Sequence, residues 1–184
     1  MASLIPAAGS TGSGSLTLQG PSTSSTQTVT IPDATGTMMV SGNMPACRVY
    51  NSNTFTVANS TFTKVPFNTK DFDTANAFDT TNNRFTPQVA GYYQITARAS
   101  TGGNATGQMT SSLYKNTSTE YVRGIQVANS VVSSICPCVS GLVYLNGSTD
   151  YVEYFVFQST GSTLTYIANT IAESFFEAVL VRTA

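Results

Sequence analysis

From residue 46 onward the chain alternates apolar and polar positions with a period of two, the mark of half-buried strands. A long strand is expected over 91–100, and the alternation is clearest over 91–98. Tyr93, Ile95 and Ala97 fall on one face there, and Tyr92, Gln94, Thr96 and Arg98 on the other. Two short strands, 77–79 and 84–86, precede it. Asn82-Asn83 between them suits a turn, because Asn bonds its own backbone and tolerates positive φ. Pro87 marks a corner, and Gly91 opens the long strand where a Cβ would be crowded. Further strands are expected near 46–50, 54–58, 62–67, 108–115, 121–128, 131–139, 141–146, 150–158, 163–168 and 174–182. No stretch shows a helical period, so the expected class is all-β, an antiparallel sandwich.

Two strands are apolar on both faces. In 151–157, Val152, Tyr154 and Val156 oppose Tyr151, Glu153, Phe155 and Phe157; in 175–181, Phe176, Ala178 and Leu180 oppose Phe175, Val179 and Val181. An antiparallel sandwich usually keeps one face of each sheet wet. Such strands are therefore either central in a stack or covered by another subunit.

Residues 1–46 read differently. Gly9 to Ser15 is a Gly/Ser/Thr run with nothing to pack. Leu16-Thr17-Leu18 and Val29-Thr30-Ile31 then form two small alternating stretches that could not bury a core alone. Ser41-Gly42-Asn43 is the expected boundary. The division is an extended N-terminal β arm, 1–46, and a folded head, 47–184.

Several landmarks carry a resemblance. Phe78-Asp79, Arg84-Phe85-Thr86-Pro87 and Gly91-Tyr92-Tyr93-Gln94-Ile95 resemble the signature of the complement 1q globular-head family, trimeric jelly rolls related to tumour necrosis factor. Ile95 stands where that family prefers an aromatic. Lys64-Val65-Pro66-Phe67-Asn68, Leu113-Tyr114-Lys115-Asn116, the run from Gly141 to Val152, and Phe176-Glu177-Ala178-Val179-Leu180-Val181 resemble later landmarks in the same order. Ser148 and Thr149 separate Gly147 from Asp150 where the family has the pair adjacent, and Ala178 replaces a glycine. The resemblance implies a jelly-roll head assembled as a homotrimer. Tyr93, Ile95, Tyr151, Phe155, Phe157, Phe175 and Val179 are the expected interface residues. In the arm, Leu16-Thr17-Leu18-Gln19-Gly20-Pro21 and Val29-Thr30-Ile31-Pro32-Asp33-Ala34-Thr35-Gly36-Thr37 resemble a module of bacteriophage tail, fibre and head-fibre proteins. That likeness makes Leu16, Leu18, Val29 and Ile31 candidates for attachment to a capsid.

Composition narrows the function. Charged residues make up 9% of the chain, and the net charge is −1. There is no basic footprint for nucleic acid, and no apolar run approaches the ~20 residues that span a bilayer. The opening Met-Ala-Ser-Leu-Ile-Pro lacks the basic start and apolar core of a secretory signal, so synthesis in a cytoplasm is expected. Histidine is absent, which rules out a Ser-His-Asp triad and a His-based zinc site. No carboxylate spacing selects a glycosidase pair, and no enzyme activity or cofactor is expected. Asp71, Asp73 and Asp79 are the calcium candidates, but their spacing is not that of an EF-hand and a turn-forming role is expected instead. Cys136 and Cys138 lie two apart; with Cys47 the count is odd, and all three are expected as buried free thiols. Arg84 and Arg123 are expected at the surface or the rim of the core.

The expected function is a virion structural protein of a tailed phage, made in the host cytoplasm and located on the capsid surface. It would be a trimeric decoration or head-fibre protein bound to the major capsid protein or another virion protein. The alternative is a short tail fibre or receptor-binding module recognising a host surface glycan or protein, with Tyr121 and Tyr166 as loop aromatics.

Overall fold

The computed structural model describes residues 44–102, 106–127, 134–168 and 171–184. The N-terminal arm, including Leu16, Leu18, Val29 and Ile31, lies outside the described residues. All regular elements among the described residues are strands: β1 (Ala46–Tyr50), β2 (Phe55–Val57), β3 (Thr63–Lys64), β4 (Thr69–Asp73), β5 (Phe78–Asp79), β6 (Arg84–Phe85), β7 (Gly91–Arg98), β8 (Ser100–Gly102), β9 (Gln108–Lys115), β10 (Thr119–Val127), β11 (Ser134–Ile135), β12 (Cys138–Leu145), β13 (Val152–Gln158), β14 (Leu164–Ile167) and β15 (Phe175–Thr183).

They form an antiparallel jelly-roll sandwich. One layer is a five-stranded sheet in the order β12-β7-β15-β1-β4; the other is a six-stranded sheet in the order β10-β9-β13-β6-β5, with β3 also paired to β13. A four-stranded sheet, β11-β8-β14-β2, prolongs the five-stranded one. Its members adjoin β12, β7, β15 and β1 in the chain and keep the same side-by-side order. The expected long strands 91–100 and 131–139 are therefore each interrupted, at Ala99 and at Cys136-Pro137. Small buried residues line the interruption. Ser174 Oγ donates to the Ile167 carbonyl at 2.7 Å and accepts from Ser100 N at 3.3 Å. β4 was not expected, because Thr-Lys-Asp-Phe-Asp lacks strand alternation; it forms as an edge strand on β1, across a register shift between Arg48 and Val49.

The core lies between the layers. Phe176 from the five-stranded sheet meets Phe78 and Phe85 from the six-stranded sheet, with centroids 5.3 and 6.0 Å apart, and Phe67 at 6.2 Å. Tyr93, Ile95 and Ala97 point into this core with no exposed surface. Tyr93 places its hydroxyl 2.7 Å from the Val89 carbonyl, and burial pushes its pKa up to about 12. Burial raises the Tyr154 and Tyr166 phenols too.

Local chemistry explains the corners. Asn83 takes φ +51°, as the Asn-Asn turn requires. Asn146 Oδ1 accepts from the backbone N–H groups of Ser148, Thr149 and Asp150 at 3.0, 2.9 and 3.0 Å, which closes the turn into β13. A Cβ on Gly91 would sit 2.6 Å from Leu180 Cδ1, so the crowding comes from the neighbouring β15.

Candidate interaction surface

The alternation that sends Tyr93, Ile95, Val143, Ala178 and Leu180 inward turns Tyr92, Leu142, Tyr144, Val179 and Val181 outward. These five side chains lie on β12, β7 and β15 and remain 38–54% exposed. The registers join them into a patch. Tyr144 pairs with Tyr92, Leu142 with Gln94, and Gln94 with Val179. The Tyr92 and Tyr144 rings lie 5.4 Å apart. Burying a side chain of this size fully contributes roughly 1.5–3 kcal/mol. Leaving a contiguous set in water marks an interaction surface.

The patch grades into polar groups. Ser140 Oγ accepts from Gln94 Nε2 at 2.8 Å and lies 2.9 Å from Thr96 Oγ1. Arg48 pairs with Glu177 and places its guanidinium 4.1 Å from the Phe175 ring centroid. Phe72, Ala46, Gln94, Thr96, Glu177 and Val179 surround a depression of about 240 Å³. At the far end, Arg98 Nε is sealed from solvent with no hydrogen-bond partner among the described residues.

Of the seven expected interface residues, Val179 lies within the patch and Phe175 at its polar end. Tyr93 and Ile95 do not reach the surface. Their strand packs its more apolar face against the other sheet, which leaves the mixed face outside. Tyr151, Phe155 and Phe157 are half-buried and belong to the six-stranded side. Tyr92, Leu142, Tyr144 and Val181 were missed. For Val181 the signal was a strand, 175–181, apolar on both faces; Leu142 and Tyr144 share a second apolar face of 141–146, and Tyr92 stands on the mixed face of 91–98.

Asp73 and Asp79 act as turn caps. Asp73 accepts from Ala77 N, Phe78 N and Lys70 Nζ at 2.9, 3.0 and 2.8 Å. Asp79 accepts from Thr81 N and Asn82 N at 2.8 and 3.0 Å. Asp71 is exposed, and among the described residues no group of three or more Cys, Asp and Glu side chains is placed to hold a metal ion.

The thiols differ from expectation. Cys47 is buried and its pKa raised by desolvation, but Cys136 is half-buried and Cys138 exposed. Cys138 begins β12 on its outward face, directly opposite Arg98. Tyr166 is a core residue of β14 stacked 5.1 Å from Phe55, and so is no loop aromatic. Tyr121 is exposed, but on strand β10. Arg84 stands 4.7 Å from the Tyr151 ring.

Among solved structures, the globular domain of zebrafish complement 1qA protein matches with a TM-score of 0.59 and 20% identity, over 76% of this chain and 98% of that chain. Murine APRIL matches with a TM-score of 0.59 and 11% identity, over 75% and 99%. Eiger TNF from S. frugiperda matches with a TM-score of 0.56 and 12% identity, over 77% and 93%. The head therefore has the jelly-roll fold of complement 1q and tumour necrosis factor domains. No family model matches the chain, and no curated protein matches it.

Proposed function

We propose that this protein is a trimeric virion surface protein of a tailed phage, a capsid decoration or head-fibre protein. Its segment 1–46 would attach to the major capsid protein or another virion protein, and its jelly-roll head would be displayed outward. The observation that carries the assembly is the exposed patch of Tyr92, Leu142, Tyr144, Val179 and Val181. Covering five half-exposed side chains contributes roughly 1 kcal/mol each, about 5 kcal/mol per copy. A ring of three closes through one repeated contact, which fits threefold sites on a shell. The virion setting is supported by the arm, above all by Pro32-Asp33-Ala34-Thr35-Gly36-Thr37.

Light scattering after size exclusion tests the assembly. The expected mass is three times the 19.4 kDa protomer, and Val179→Asp is expected to give one protomer. A monomeric wild-type protein would refute the trimer. Quantitative mass spectrometry of purified particles tests the setting: on the order of hundreds of copies, in multiples of three, are expected for a decoration protein. Absence from particles would refute a virion role. A few copies at the tail would favour the second reading, a receptor-binding module, which the exposed Phe62 and Tyr121 on the opposite layer support.

A further inference from the structure

The outward side of the six-stranded sheet carries a second surface, remote in the sandwich from the patch assigned to self-association. Phe62 lies just before β3, yet its ring reaches residues of three strands. It is 4.9 Å from Phe157 on β13, 6.2 Å from Tyr114 on β9, and 5.8 Å from the guanidinium of Arg123 on β10. Tyr114 in turn packs 5.0 Å from Phe155. On this side β9 carries Thr110 and Ser112; both are buried although they alternate with the core-facing Met109, Ser111 and Leu113. Phe62 remains 40% exposed and Tyr121 47%.

A fixed polar fork stands beside this aromatic floor. Arg123 donates to Glu120 through both Nε and Nη2, and Ser112 Oγ donates to the same carboxylate at 2.6 Å. The pair is neutral in sum and held from two sides, and it still offers donors and acceptors to solvent.

We infer that this face binds a neutral pyranose sugar, its apolar C–H face stacked on Phe62 and its vicinal hydroxyls held by Arg123 and Glu120. The charges decide against other ligands. An anion meets the Glu120 carboxylate, and a cation meets Arg123. A wholly apolar partner strips water from the ion pair without replacing it. A polyhydroxylated ring satisfies the aromatic floor and the fork together.

The inference rests on the proposed assembly leaving this face outward, and its test separates the two. Saturation-transfer NMR on the full chain would use methyl glucoside, galactoside and mannoside, with sialyllactose as the anionic comparison. At least one neutral pyranoside is expected to receive saturation, strongest at the protons of one ring face. Phe62→Ala is expected to weaken its titrated affinity by about tenfold. Arg123→Lys keeps the charge but loses the fork, and is expected to weaken it as well. Circular dichroism verifies that both variants fold. Val179→Asp is expected to retain the sugar signal per protomer even as a monomer, so failed assembly does not read as a failed site. The inference is overturned if no neutral sugar receives saturation, if sialyllactose alone does, or if neither substitution changes the affinity.

Discussion

Phe175 and Phe176 are adjacent in sequence and belong to opposite environments, which makes them a sharp test of strand register. Phe176 is 1% exposed and touches three other aromatic rings across the layers. Replacing it with alanine removes a buried ring and leaves a cavity, a loss of about 4 kcal/mol. Phe175 is half-buried on the outer side of the same strand, with Arg48 stacked 4.1 Å from it. Its replacement forfeits a partly exposed cation–π contact and some area, about 1 kcal/mol. Urea unfolding followed by circular dichroism reads both. At a slope of about 2 kcal/mol per M, Phe176→Ala is expected to lower the midpoint by about 2 M and Phe175→Ala by about 0.5 M. Both are made in the Val179→Asp background at one protein concentration, so that subunit association does not enter. A midpoint loss for Phe175→Ala equal to or larger than that for Phe176→Ala would refute the assigned register.

Three further outcomes are expected. Cys138 lies on the outward side of β12 with the patch, so maleimide should label it slowly in the assembled wild type and quickly in Val179→Asp; equal rates would count against a covered face. Tyrosine ionisation followed at 295 nm should leave part of the set of nine unionised past the usual pKa of about 10. Tyr93 is pushed up to about 12 by burial, and Tyr154 and Tyr166 are raised by the same cause. Acid should destabilise the head through carboxyls that the fold holds below their ordinary range: Asp79 by the Asn82 amide, Glu120 by Arg123, and Asp150 by the Asn116 amide and then Lys115. The unfolded chain binds more protons at these groups. Their contribution is therefore present above about pH 4 and lost as pH falls through the lowered values. A thermal midpoint that does not fall between about pH 5 and 2 would contradict this.

The turns were legible because their chemistry is local. At Asn82-Asn83, Asn83 takes the positive φ that Asn tolerates, while Asp79 Oδ1 bonds the backbone N–H groups of Thr81 and Asn82. The Asp73 and Asp79 caps belong to the same class. Strand β4 escaped notice because its edge position on β1 asks for no alternation. The breaks at Ala99 and Cys136-Pro137 were equally hidden, since they arise where two sheets diverge. The second surface could not be read along the chain at all. Phe62, Tyr114, Glu120 and Arg123 come from one loop and two strands and meet only because β10, β9 and β13 lie side by side.

The sequence by itself determined the all-β class, the order of the main strands and the residues that turn the chain. Each of these follows from a period of two or from a side chain acting on its own backbone. Only the tertiary structure decided which face of each strand is the inside. A period of two defines two faces without ranking them, and here both are apolar in 141–146 and 174–182. The ranking comes from which side meets the opposing layer. Across the layers, Phe176 meets Phe78 and Phe85, so Tyr93, Ile95 and Leu180 turn inward while Tyr92, Val179 and Tyr144 remain outside.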